Sequence, residues 1–189
     1  MSARSTEAPA AAAPDAESWL EAARAGDAAA LEQLYRAHAP RVLRTVRALC
    51  RDDAEAEDIA HDTFLIAWER LDTYRPREGS SFVSWLLTIA MNLARQRHRR
   101  ARRVRLVGPR DLDGERASDP GPDDAMGRRH LARLLADLPE RDRDVLALRY
   151  GGGLSAAEVA ATIELSEANV RKICERRRRE LLDAMGGSR

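Results

Sequence analysis

The residues of this sequence that could do chemistry are mostly charged, and they are sorted by sign. Arg95, Arg97, Arg99, Arg100, Arg102, Arg103 and Arg105 follow one another with no acid among them, and His98 joins them. A run of one sign suits a phosphate backbone, although a nonspecific basic tail would look the same. Just upstream, Asn92 and Gln96 stand four residues apart, the spacing that places two amides on one helix face, where they can hydrogen-bond base edges. Near the C-terminal end, Arg176-Arg177-Arg178-Arg179 is a second basic run, beside Arg171, Lys172 and Glu175. The opposite sign gathers around Asp58, Asp62 and Glu69. Acids at a helix start favour the macrodipole, but these continue past the first turn, and an acidic face on a protein with basic DNA surfaces points to a separate protein partner.

The side chains of catalysis and metal binding are thinly spread. The four histidines, His38, His61, His98 and His130, are scattered, and His61 between Asp58 and Asp62 has no second histidine placed to help it. Cys50 and Cys174 are far apart and fit neither a disulfide framework nor a zinc motif; both fall at apolar helix positions and are expected to be buried. No catalytic centre, cofactor or metal is expected. The chemistry on offer is binding: of DNA by arginine, and of protein by an acidic face.

These surfaces need rigid elements to carry them. The chain has 189 residues, 44% hydrophobic but only 4% aromatic, so its cores must be built on Leu, Ala and Val. Charged residues make up 33%, yet the net charge is +1, so the useful signal is local. The basic charge is nearly all arginine, whose planar fork suits phosphates and guanine edges; Lys172 is the lone lysine. No run approaches the length of a membrane span, and residues 1–16, rich in Ala and Pro, lack a signal-peptide core. The expectation is a cytoplasmic, all-α protein with no membrane insertion: a disordered leader over 1–16, a helical domain over 17–105, a flexible acidic linker over 106–126, and a second helical domain over 127–185. Helices are expected near 17–24, 28–38, 40–50, 54–72 and 81–103, with Pro40 opening the third and Ser80 or Ser81 capping the fifth. In the fifth, Phe82, Trp85, Leu86, Ile89, Ala90 and Leu93 form an apolar stripe; Phe82 and Trp85 suit a core, but aromatics also support unpaired bases.

The last segment carries the clearest local signature. Ser155-Ala156-Ala157-Glu158 is a capping box, Val159, Ala160 and Ile163 give its helix a buried face, and Glu164-Leu165 turn the chain. Ser166 can cap a second helix with Val170, Ile173, Cys174, Arg177 and Leu181 in line. Two short helices joined this way form a helix-turn-helix, whose second helix enters a major groove. A plain helical hairpin with a solvated charged face is the other reading.

Three segments, in order, resemble bacterial sigma factors of the small extracytoplasmic-function (ECF, group 4) type. Asp58-Ile59-Ala60-His61-Asp62-Thr63-Phe64 resembles their polymerase-binding segment. Ser81 through Leu93 resembles their promoter-melting region. Leu138 through Tyr150, then Leu154 to Leu181, resembles their last conserved domain. The resemblance implies a partner in the coiled coil of the largest subunit of core RNA polymerase, met by Asp58, His61, Asp62, Phe64 and Glu69. It implies capture of the melted minus-10 element of promoter DNA by Arg75, Ser80, Trp85, Asn92, Arg95, Gln96, Arg99 and Arg100. It implies reading of the minus-35 duplex by Ser166, Arg171, Lys172, Glu175, Arg176 and Arg179, and an anti-sigma factor as inhibitory partner. The acidic linker would thread into the polymerase cleft. Against the family's habit, His61 stands where Gln is usual and Glu164 where the turn usually has Gly; a residue at that turn can need positive φ, which Glu tolerates poorly. Gly151-Gly152-Gly153 is looser than usual. A freestanding helix-turn-helix regulator is the alternative, although the first domain offers it neither a dimer surface nor a ligand pocket.

Overall fold

A computed structural model describes residues 16–50, 52–76, 81–107 and 122–186. Residues 1–15 of the leader expected over 1–16, and the central part of the expected linker, lie outside the described residues. Every regular element among the described residues is helical: α1 (Ala16–Arg24), α2 (Ala28–Arg47), α3 (Asp53–Glu69), a short 3₁₀ turn (Leu71–Thr73), α4 (Phe82–Val107), α5 (Pro122–Ala136), α6 (Glu140–Leu146), a π-helical turn (Ala147–Gly151), α7 (Ala156–Ile163) and α8 (Glu167–Gly186). Helix therefore reaches into both ends of the segment expected as linker. No helix of the described residues is long and apolar enough to cross a membrane.

The chain forms two compact units, Met1–Ala37 and His38–Arg189. In the first, Asp27 caps α2 by accepting from the Ala29 N–H at 2.8 Å, and Leu20, Ala23, Ala30 and Leu34 are buried. The division falls inside α2, where two separate helices were expected. Pro40 does not start a helix; it lies within one. The physical reason is the buried series Ala30, Leu34, His38, Val42 and Val46, which repeats every four residues straight through the proline. Pro40 deprives the Arg36 carbonyl of a helical donor, but both residues are exposed, so water can serve it.

In the second unit α3 packs against α4. The N-terminus of α3 is capped by Asp52, whose carboxylate accepts from the Ala54 N–H at 3.1 Å. Ala56, Ile59, Thr63, Phe64, Ala67 and Leu71 are buried. Thr63 fits there because its hydroxyl donates to the Ile59 carbonyl at 2.7 Å. On α4 the fully buried positions are Leu86, Leu87 and Ala90, followed by Met91. Ser81 is its cap, with the Ser84 N–H donating to Ser81 Oγ at 3.4 Å. Cys50 and Cys174 are both buried thiols, as expected, and burial pushes the Cys50 thiol up to about 12.

Aromatic rings gather where α2 meets the start of α4. Tyr74 lies 5.3 Å from Phe82 and 5.2 Å from Trp85, and His38 meets Phe82 edge-on at 5.4 Å. Neither ring nitrogen of His38 has a hydrogen-bond partner. Burial, aided by the Arg41 charge, lowers its pKa from 6.5 to about 4. Between those values the unfolded chain takes up a proton that the folded chain refuses. Stability is therefore lost as pH falls through that window, by up to about 3 kcal/mol from this group. His38→Leu is expected to shrink the loss in unfolding free energy between neutral pH and pH 4, as read by denaturant melts.

Candidate nucleic-acid interface

The acidic face is the outer side of α3. Asp58, His61, Leu65 and Glu69 are exposed and Asp62 is half-buried, all at helical spacing. Phe64 does not share this surface. It is 3% exposed and packs 5.6 Å from Trp68, so it supports the face from within. The reason is angular: Phe64 lies on the stripe of Ala56, Ile59 and Ala67, which turns toward α4. Leu65 was missed in the sequence, yet it is an exposed large apolar residue, and its spacing three residues after Asp62 was the available signal. Arg97 of α4 donates to Asp62 at 2.6 Å and stands 3.5 Å from Asp58. It thus belongs to the acidic face rather than to the basic run in which the sequence places it.

On α4, Asn92, Gln96, Arg99 and Arg100 are exposed on one side at i, i+4, i+7 and i+8. Trp85 is half-buried against Tyr74 and Phe82. Arg75 is exposed and donates to the Tyr74 carbonyl at 3.0 Å. Ser80 lies outside the described residues. Arg95 is held elsewhere: it pairs with Asp144 of α6 and stands 3.4 Å from Glu140. Burial pushes the Asp144 carboxyl above the usual carboxylate range, and the Arg95 guanidinium only partly opposes this. Arg95 is therefore set apart from the Asn92–Gln96 side.

The helix-turn-helix is formed as its caps require. Glu158 N–H donates to Ser155 Oγ at 3.1 Å, and Ser155 N–H donates to Glu158 Oε2 at 2.8 Å, completing the capping box. Asn169 N–H donates to Ser166 Oγ at 3.3 Å, so Ser166 caps α8. Val170, Ile173 and Cys174 are buried, while Arg171, Lys172, Glu175, Arg176 and Arg179 face outward. Arg171 and Arg179 sit beside Glu167 and Glu175 one turn away. Such exposed pairs are weak and release readily to a phosphate. The deeper anchor is Asp142, 7% exposed, which accepts from Arg176 at 2.9 Å and Arg177 at 2.6 Å. This buried carboxylate fixes α8 to α6, and neither its burial nor its partners could be read from sequence spacing. Among the described residues no three His, Cys, Asp or Glu side chains are grouped to hold a metal.

Residues 34–104 match the family Sigma-70 region 2, and residues 134–181 match Sigma-70, region 4. CarQ, an RNA polymerase sigma factor of Myxococcus xanthus, is 33% identical over 168 residues, covering 88% of this chain and 95% of CarQ. The chain is an ECF-type sigma factor. The ECF RNA polymerase sigma factor SigL of Mycobacterium tuberculosis is 32% identical, over 80% of this chain and 86% of SigL. The match to another relative, "Probable RNA polymerase sigma factor RfaY" of Xanthomonas campestris, is 38% identical but spans only 34% of that protein. Among solved structures, CnrH in complex with the cytosolic domain of CnrY has a TM-score of 0.67 at 25% identity, covering 90% of this chain and 97% of that one. The sigma factor RpoE of Bartonella quintana, solved with the anti-sigma factor NepR, shares the fold at TM-score 0.63 and 23% identity, over 84% and 98% of the two chains.

In this sigma factor the turn of the helix-turn-helix carries a local strain. Glu164 has φ 55 and ψ 53, the left-handed conformation that glycine adopts without a Cβ penalty. The Leu165 N–H still donates to the Ala160 carbonyl at 3.0 Å, so the turn is made despite the side chain. Glu164→Gly is expected to stabilise the protein by about 1 kcal/mol, the typical left-handed cost less the entropy of a glycine. A higher midpoint in thermal unfolding, with an unchanged helical circular-dichroism spectrum, is the measured outcome.

Proposed function

We propose that this sigma factor binds core RNA polymerase and directs promoter-specific initiation through two DNA grips, acting in the cytoplasm by binding rather than by catalysis. The observation that carries the reading is the pairing of an acidic, Leu65-bearing face on α3 with an adjoining arginine-rich helix, α4, and a separate capped helix-turn-helix. A freestanding regulator has no use for the first of these. Asp58, His61, Asp62 and Glu69 are the polymerase contact, with Phe64 holding their helix in place. The partner is the basic coiled coil of the largest subunit, whose cations compete with Arg97 for the two aspartates.

Asn92, Gln96, Arg99 and Arg100 grip the opened minus-10 strand, joined by Arg75, Ser80, Arg95 and Trp85. The half-exposed ring of Trp85, backed by Tyr74 and Phe82, suits stacking with an unpaired base. Arg171, Lys172, Glu175, Arg176 and Arg179 read the minus-35 duplex from α8, with Ser166 at its start. The regions 17–105 and 127–185 work as two domains, and the acidic segment 106–126 between them enters a basic channel of polymerase. An anti-sigma factor, the kind of partner with which the Bartonella protein was solved, holds the chain inactive.

Transcription by core polymerase and this chain on a genomic library tests the class and reveals the promoter; no initiation above core alone would remove it. Reversing both charges with Asp58→Arg and Asp62→Arg is expected to abolish core polymerase capture in a pull-down, with helical content retained. Arg97 then faces like charge at both positions, so the variant's thermal midpoint is measured beside it. Full capture by a folded variant would remove the partner assignment.

A further inference from the structure

Asp142, in the first turn of α6, has no part in the functional reading above. It is 7% exposed, yet its charge is met twice from α8: Oδ2 accepts from Arg177 Nε at 2.6 Å and from Arg176 Nη2 at 2.9 Å. The two arginines are neighbours in sequence but not in surroundings. The Arg177 side chain is 18% exposed and donates a second time, to Glu180 Oε2 at 2.5 Å. The Arg176 side chain is 57% exposed. Arg177 is therefore enclosed, whereas Arg176 is tethered on one side and open to solvent on the other. The tether is itself held. The Asp142 N–H donates to the Pro139 carbonyl at 3.0 Å, and the positive end of the α6 dipole favours a carboxylate in its first turn. Two carboxylates, Asp142 and Glu180, face two guanidiniums, so the formal charge of the cluster balances. What Arg176 offers a duplex is then direction more than charge. A freely turning guanidinium settles on any phosphate in reach. One fixed through Nη2 presents its remaining N–H groups along a set line, as a bidentate contact to a base edge requires.

We propose that Asp142 is a positioning residue for duplex recognition: it fixes the guanidinium of Arg176 so that this side chain reads a base edge of the minus-35 element instead of resting on any phosphate. The inference rests on the functional reading for the task of α8. Arg177 has a separate part, which is to clamp α8 to α6. Removing the charge of Asp142 acts in two directions. It frees Arg176, which weakens the sequence-specific contact. It also leaves one uncompensated positive charge on α8, which strengthens attraction to the phosphates of any sequence. A carboxylate that served stability alone would, on removal, weaken both kinds of binding together.

Holoenzyme made with the full-length chain first selects a promoter from a random duplex pool. Affinity is then measured for that promoter and for the same duplex with its minus-35 element scrambled. Asp142→Asn keeps the shape of the side chain and removes its charge. It is expected to lower the ratio of the two affinities by about fivefold or more, the lower range for a good base contact, while affinity for the scrambled duplex holds or rises. In an Arg176→Ala background the same change should leave the ratio where it is, because the side chain through which Asp142 acts is gone. Arg177→Gln is expected to lower the thermal midpoint and leave the ratio unchanged. A ratio unmoved by Asp142→Asn, an equal fall for both duplexes, or the same fall in ratio with and without Arg176 would overturn the assignment. Where Asp142→Asn loses helical content, Asp142→Glu, which displaces the carboxylate by a methylene, takes its place with the same fall in ratio expected. If scrambling the element costs the wild-type holoenzyme nothing, the functional reading of α8 fails, and the assignment to minus-35 recognition with it. The tether is still decided by NMR of the free chain: rotation of the Arg176 guanidinium that is slow in wild type and fast in Asp142→Asn supports it, and equally fast rotation in both removes it.

Discussion

Between Thr45 and the backbone at Gly151 there is room for a hydrogen atom but not for a methyl group. Much of the second unit is arranged around that approach. With the loop seated on α2, Arg41 and Arg44 reach its carbonyls, Leu87 closes over Gly152, and Ser81 meets Glu158. Each of these contacts is modest alone, since a typical net hydrogen bond contributes about 1 kcal/mol. They reinforce one another because a single backbone position brings all of them into range.

The same unit shows how an arginine-rich chain keeps its charge in order. Arginines that look alike in the sequence have different tasks in three dimensions. Arg97 neutralises part of the α3 acidic face, Arg95 is matched to a buried aspartate, Arg177 and Arg176 share Asp142, and Arg99 and Arg100 stay in solvent. The buried aspartates set the geometry, because removing either partner from such a pair leaves an uncompensated charge. The exposed pairs set little, because water and salt screen them.

For a sigma factor this division has a functional sense. A polymerase-binding face and two DNA grips must not bind one another in the free chain, although their charges are complementary. Arg97 beside Asp58 and Asp62 is a local, partly exposed pairing, which on the proposed reading a more basic partner outcompetes. Arg41 and Arg44 meet the carbonyls of the glycine loop, and the buried side chain of Leu87 lies over Gly152.

What the sequence determined by itself was mostly encoded within a turn or two of helix. The capping box at Ser155 and Glu158, the Ser166 cap, the buried Val170–Ile173–Cys174 face and the strained position at Glu164 depend on residues three or four apart, and spacing reports those directly. The family likeness follows from the same local patterns in order. Even locally there was an error: Pro40 reads as a helix start, because a proline's preference says nothing of the buried stripe that runs past it. Tertiary structure alone decided which arginine meets which acid, that Phe64 faces inward, and why three glycines stand at 151–153. Arg95 and Asp144 are 49 residues apart, and Arg41 and Gly152 are 111 apart. No periodicity links such positions. Their meeting depends on how whole helices pack, and a backbone approach has no side-chain signature other than the glycine that permits it.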